Sequence, residues 1–310
     1  MLTASACKRN GFRQMEGIIW NTTYHITFDG PEELEDSVLK TLNEIDGSLN
    51  YFSGTSLLSR INAADTITID RHIAEVYRIC GRLNRESGGM FDPTVTPLIN
   101  AWGFGKGHTP TADTLRIDSL LKHVGFTKTA LGEDLTLVKP AGVVFNFSAV
   151  AKGYGVDAVG EMLSRNGVKN WLVEIGGEIA CAGESPRGGN WKVSVDRPVQ
   201  DSARIIHDSQ AVVALSGEGL ATSGNYRNYH SGKGGKTFGH TISPLTGRPV
   251  QTDVLSATVI APTCAEADAM ATTCMAVGSR EALRISERMH WPVMLILSDT
   301  VIYSKDFPKE

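Results

Sequence analysis

Between residues 171 and 260 the chain reads as one short strand after another. The runs 171–175, 178–182, 191–195, 211–216, 240–243 and 254–260 are alternating or β-branched, with turns at Gly176-Gly177 and 185–190. Strands that follow one another without an intervening helix are joined by hairpins, so this stretch dictates a largely antiparallel sheet. Helical periodicity lies on either side of it: from Pro31 through Leu34, Val38, Leu39, Leu42 and Ile45, then over 73–85, 113–124, 152–165, 264–276 and 279–289. Further strands are expected at 17–28, 134–138 and 143–147, with a last pair near 292–304. The fold class is therefore α+β and not regular βαβ winding.

The glycines agree with this choice. Neither Gly153-Tyr-Gly155 nor Gly232-Lys-Gly-Gly-Lys-Thr237 has the spacing of a dinucleotide fingerprint or a Walker A loop. A 310-residue chain with 41% hydrophobic and 21% charged residues is globular, and a net charge of −4 offers no general field for nucleic acid. An anionic ligand must be held by local groups. No run of about 18 apolar residues is present to span a bilayer. At the N-terminus, Leu2-Thr-Ala-Ser-Ala-Cys7 followed by Lys8-Arg-Asn10 has the form of a lipoprotein signal end. The expectation is a signal remnant and tether over 1–14, a lipid anchor at Cys7 and one domain over 15–310; an ordinary start with a chance cysteine is the alternative. Cys80, Cys181, Cys264 and Cys274 have no metal-ligand spacing and read as buried small hydrophobes.

Several constellations suit phosphate chemistry. Ser148-Ala-Val-Ala-Lys152-Gly-Tyr-Gly-Val-Asp157 joins a strand to a helix start, where free amides and Lys152 can cradle an anion; a plain turn with a solvated lysine is the alternative. Asp268 and Thr272 fall at i and i+4 near the start of a helix, and a carboxylate with a hydroxyl can ligate a hard cation such as Mg²⁺. Glu266 or Asp268 can equally complement a helix dipole. His240, ahead of the turn Pro244-Leu-Thr-Gly247, is a candidate base for a hydroxyl. Phe91-Asp-Pro-Thr-Val-Thr-Pro97 and Trp102-Gly-Phe-Gly105 put aromatics beside turns, either to stack on a planar ring or as core. Ile175-Gly-Gly-Glu178 reads as a backbone approach to a ligand or as a hairpin.

These motifs, in this order over roughly 15–305, resemble the ApbE family, the FAD:protein FMN transferases. The likeness is carried by Asn21-Thr-Thr-Tyr24, Ser59-Arg-Ile-Asn62, Phe91-Asp-Pro-Thr94, Ala151-Lys-Gly-Tyr154, Ile175-Gly-Gly-Glu178, Thr222-Ser-Gly-Asn-Tyr226, His240, Thr246-Gly247 and Ala267-Asp268. The resemblance implies a two-lobed α+β fold of the T-fold-like kind, with FAD in a cleft and Mg²⁺ at its pyrophosphate. It implies transfer of FMN to a threonine or serine of an acceptor protein through a phosphoester, with release of AMP; hydrolysis of FAD to FMN and AMP, and flavin binding without catalysis, stay open. By position, Asp268 and Thr272 match metal-binding side chains and Ala149 a metal-binding carbonyl. Trp20, Phe52, Met90, Phe91, Asp92, Asn146, Lys152 and Ile242 match flavin-nucleotide contacts, and His240 the base. The implied acceptors are flavoprotein subunits of membrane redox complexes on the periplasmic side of the inner membrane. Four residues depart from the pattern the resemblance implies: Asn21 for glycine, Leu58 for an acid or β-branched residue ahead of Ser59-Arg60, and Asn146 and Ser243 for aspartate.

Overall fold

The first expected strand, over 17–28, is a hairpin of two, β1 (Phe12–Ile19) and β2 (Thr22–Asp29). Its two-residue turn puts Trp20 at φ 50° and Asn21 at φ 61°. A left-handed pair is what a tight hairpin requires, and asparagine is the side chain that tolerates it best after glycine. Asn21 therefore meets a conformational demand that glycine would also meet. Asn21→Ala is expected to lower stability by about 1 kcal/mol while Asn21→Gly is neutral or better, measured by urea unfolding.

This computed structural model describes residues 11–104, 110–111, 113–196, 209–224, 229–231, 237–239 and 241–308. Cys7 and His240 lie outside them. After the hairpin come α1 (Leu34–Leu49), α2 (Leu57–Ala63), β3 (Thr66–Thr68), α3 (Arg71–Glu86), α4 (Thr96–Ala101) and α5 (Thr114–Leu121). Then follow β4 (Ala130–Leu131), β5 (Thr136–Val138), α6 (Ala151–Arg165), β6 (Trp171–Ile175), β7 (Glu178–Ala182), β8 (Trp191–Asp196), β9 (Ser209–Leu215) and β10 (Gly219–Gly224). The chain closes with β11 (Tyr229–Ser231), β12 (Thr237–Gly239), β13 (Ser256–Ala261), α7 (Cys264–Val277), α8 (Ser279–Met289), β14 (Val293–Ile296) and β15 (Val301–Tyr303).

The main sheet has eight strands in the order β1-β2-β6-β7-β10-β13-β14-β15, every pair antiparallel. Its alternation sorts two cores. Val173 and Ile175 face Val156, Val159 and Leu163 of α6, while Cys181, Leu220 and Ile260 face Trp191, Val193 and Val213 of the β8–β9 ribbon. β13 is buried along its whole length because both faces are covered. A second lobe holds the β3-β5-β4 sheet with α4 and α5, and shares a large core with α3 and α7.

The structure departs from the sequence expectations at several places. Residues 143–147 form no strand; the segment is instead stapled to α2, where the Asn62 side chain donates to the Phe145 carbonyl (2.9 Å) and accepts its N–H (2.8 Å). That pair gives the Ser59-Arg-Ile-Asn62 motif its structural use. Helices α2 and α4 and strand β10 have no counterpart in the expectations, and α4 begins around Pro97. Of the strand expected over 240–243, the described residues 241–243 hold an isolated bridge, Ile242 to Pro249. β1 starts at Phe12, ahead of the boundary expected at 15. No helix among the described residues is long and apolar enough to cross a membrane.

Candidate active site

Helices α6 and α7 meet where glycine lets backbone touch backbone. A Cβ on Gly153 would collide with the Cys264 carbonyl group and stand 2.8 Å from the Ala265 Cα, and one on Gly219 of β10 would collide with the Cys264 backbone from the other side. The start of α7 is thus wedged between α6 and the sheet. Gly153→Ala forces main chain apart and is expected to lower stability by about 1–3 kcal/mol, read as a lower melting temperature.

This close approach brings Asp268 to the start of α6, where its Oδ2 accepts the Gly153 N–H at 3.2 Å. One of the amides expected to cradle an anion is therefore already satisfied by a carboxylate. Lys152 is not a solvated lysine: its ammonium pairs with Glu178, which is 2% exposed and has its second oxygen, Oε2, unpartnered. The Gly176-Gly177 turn is a hairpin, with φ 63° and 97°, and its service to the site is to swing Glu178 of β7 under α6. Glu178 was singled out by sequence only as part of that turn; an acid following two hairpin glycines was the available signal.

Lys152, Glu178 and Asp268 form a buried group with more acid than base. Burial, with the Asp268 charge adding to it, pushes Glu178 from an ordinary 4.5 up to about 8 against the pull of Lys152. Burial likewise pushes Asp268 up to about 6, opposed by Lys152 and the Gly153 amide. Burial works against the Lys152 charge too, but Asp268 and Glu178 outweigh it and hold the ammonium above its usual range. A carboxyl held above its ordinary value takes up a proton on folding, so the Glu178 contribution to stability is full below pH 4.5 and is lost as pH rises through about 8. Glu178→Gln should flatten that slope, followed by urea unfolding across the same range.

Two cavities open beside this group and share Ser148. One, of about 240 Å³, is walled by Trp20, Asn21, Tyr51, Phe52, Ala151 and Lys152; the other, of about 320 Å³, by Met90, Phe91, Asp92, Asn146, Ala149, Ile242 and Thr272. Trp20 is aimed by its hairpin turn onto Gly155 of α6, where a Cβ would overlap the indole. Phe52 stands at the mouth, 69% exposed. Asp92 is buried and already bonded, accepting from the Thr94 amide and hydroxyl and from the Phe126 amide, so it shapes its loop. Asn146 does the same for the next loop, accepting from the Ser148 amide (2.9 Å) and hydroxyl (2.6 Å), and Ser243 Oγ accepts from the amides of Leu245 and Thr246. Both turns are closed by neutral side chains.

Thr272 lies one turn beyond Asp268 on α7, with its hydroxyl 3.3 Å from that of Ser223. Asp268 itself is buried and is on the wall of neither cavity. Glu266 is bonded elsewhere, to Arg82 of α3. Among the described residues no three His, Cys, Asp or Glu side chains converge as a metal site. The donors present are a carboxylate, a hydroxyl and a loop carbonyl, all hard oxygen, which fits Mg²⁺ with its few protein ligands and retained waters. An uncompensated buried acid beside Lys152 fits a cation as well.

Residues 20–295 match the model of the ApbE family. The chain is 33% identical to the FAD:protein FMN transferase of Haemophilus influenzae, over 96% of this chain and 90% of that one. It is 30% identical to that of Vibrio cholerae, over 96% and 91%. Among solved structures, it superposes on the flavin transferase ApbE from Vibrio cholerae with a TM-score of 0.83 at 29% identity, covering 96% of this chain and 98% of that one. On the apo flavinyl transferase ApbE of Pseudomonas stutzeri the TM-score is 0.85 at 28% identity, with 95% of each chain covered.

Proposed function

The chain belongs to the ApbE family, and on that footing we propose that it is a Mg²⁺-dependent FAD:protein FMN transferase. The observation that carries this reading is convergence. Residues matched to the flavin nucleotide, spread in sequence from Trp20 to Ile242, line two cavities that meet at Ser148, with Lys152 on one wall and Thr272 on the other. That layout suits an elongated ligand whose two ends occupy separate pockets and whose charged middle lies beside α6 and α7.

In this reading Asp268, Thr272 and the Ala149 carbonyl hold the cation, which when bound supplies charge neutralisation at the pyrophosphate. Lys152 adds a fixed positive charge, kept in place by Glu178. Trp20 and Phe52 offer aromatic surface to a planar ring. His240 takes the proton of the acceptor hydroxyl; its neighbours Thr241 and Ile242 wall the second cavity. The hydroxyl oxygen bonds to the FMN phosphorus, the bond between the two phosphates breaks, and AMP departs. Loose phosphoryl transition states need such positioning and charge more than covalent help.

The acceptor is a flavoprotein subunit of a membrane redox complex, and the enzyme meets it at the periplasmic face, anchored through Cys7. The test is incubation with FAD, Mg²⁺ and an acceptor domain carrying the target threonine, with acceptor mass and AMP measured together. A mass gain equal to an FMN phosphoester with matching AMP supports the transferase. AMP without modified acceptor supports FAD hydrolysis, and neither product leaves flavin binding alone.

A further inference from the structure

The first turn of α7 has an unusual set of partners. Thr263 caps it within the helix, its hydroxyl accepting the Glu266 N–H at 3.3 Å, and the Ala267 N–H bonds to the Thr263 carbonyl. The two remaining amides do not point to water or to their own cap. Cys264 N–H donates to Oδ1 of Asp157 and Ala265 N–H to Oδ2, both at 2.8 Å. Asp157 belongs to α6, four residues after Gly153, whose own N–H is accepted by Asp268 of α7. Each helix therefore contributes a carboxylate that caps the start of the other. A free helix start is normally satisfied locally or by solvent; here its satisfaction depends on the neighbouring helix.

We propose that Asp157 is a positioning residue for Asp268. By gripping both leading amides of α7, it fixes the depth and rotation of that helix against α6, and so the place of the carboxylate one turn further on. The glycine contacts exclude a compensating shift toward α6, since Gly153 and Gly219 already bring backbone against Cys264. Asp157 thus acts on the cation through Asp268 without touching it. The inference rests on the reading of Asp268 as a cation ligand.

Mn²⁺ binding to the FAD-loaded full chain, by calorimetry, tests it, with amide hydrogen exchange over 264–268 on the same samples. Asp157→Asn removes one acceptor and turns an amide N–H toward a helix N–H. It should weaken Mn²⁺ binding about tenfold, as loss of an outer partner of a metal ligand does, while metal-free FAD affinity stays unchanged. Thr263→Ala removes the cap that acts only inside α7; it should lower the melting temperature and leave Mn²⁺ affinity as in the parent. Faster exchange at Cys264 and Ala265 in Asp157→Asn with Mn²⁺ affinity equal to the parent overturns the proposal. So does equal weakening in Thr263→Ala, because any loss of α7 stability would then suffice. If Asp157→Asn does not fold, Asp157→Glu is read instead, its extra methylene displacing the grip: weakened Mn²⁺ binding in a folded protein supports the proposal and unchanged binding overturns it. A parent that binds no Mn²⁺ overturns the ligand reading of Asp268 itself, and this inference with it.

Discussion

Asp268→Ala is expected to abolish both AMP release and acceptor labelling, by at least about 10²–10³-fold, while the protein still folds. The fold survives because the remaining pair is better matched. Without Asp268, Lys152 faces Glu178 alone, and the charge that adds to burial in pushing Glu178 up is gone. The Gly153 amide loses its acceptor, a loss of about 1 kcal/mol that the close helix contact can bear. Catalysis has no such compensation, because the proposed cation keeps only a hydroxyl and a carbonyl from the protein. Product assays by chromatography, with circular dichroism as the fold control, decide it; AMP release at the parental rate would remove Asp268 from the site.

His240→Ala should behave differently, keeping FAD bound and losing acceptor labelling by about a hundredfold or more. A general base is needed only once the hydroxyl is in place, whereas nucleotide binding draws on both cavities. The segment following His240 is firmly held: Ile242 packs with Leu98, Ala101 and Ile117, and Trp102 Nε1 donates to the Gly247 carbonyl at 2.7 Å. Substitution at 240 therefore leaves the cavity wall standing. Fluorescence titration of FAD beside labelling kinetics separates the two effects, and labelling at the parental rate would take His240 out of the mechanism.

Much of this is legible in the sequence. The alternating runs from Trp171 onward, the long helices and the placement of Asp268 and Thr272 on one helical face follow from local periodicity, which tertiary contacts here reinforce. The losses have specific causes. Residues 17–28 look like one strand because nothing in Trp20-Asn21 announces a left-handed turn as plainly as Asn-Gly would. The 143–147 run is rich in β-branched and aromatic residues because its alternate side chains are buried, yet the Phe145 amide and carbonyl bond to a side chain on α2 and the Asn146 amide to the Pro93 carbonyl, not to a neighbouring strand. Glu178 and Asp157 were invisible as site residues for another reason: their partners lie far away in sequence, and only the backbone contact at Gly153 and Cys264 brings them together.

The order of the main sheet also governs how the molecule is made. β2 pairs with β6, so Tyr24 waits for Ile175, about 150 residues later, before its ladder can close. Until it closes, the hairpin presents Tyr24, Ile26 and Phe28, all buried in the folded protein, to its surroundings. Pairing across so long a stretch of chain makes assembly of the central layer a slow, non-local step of folding.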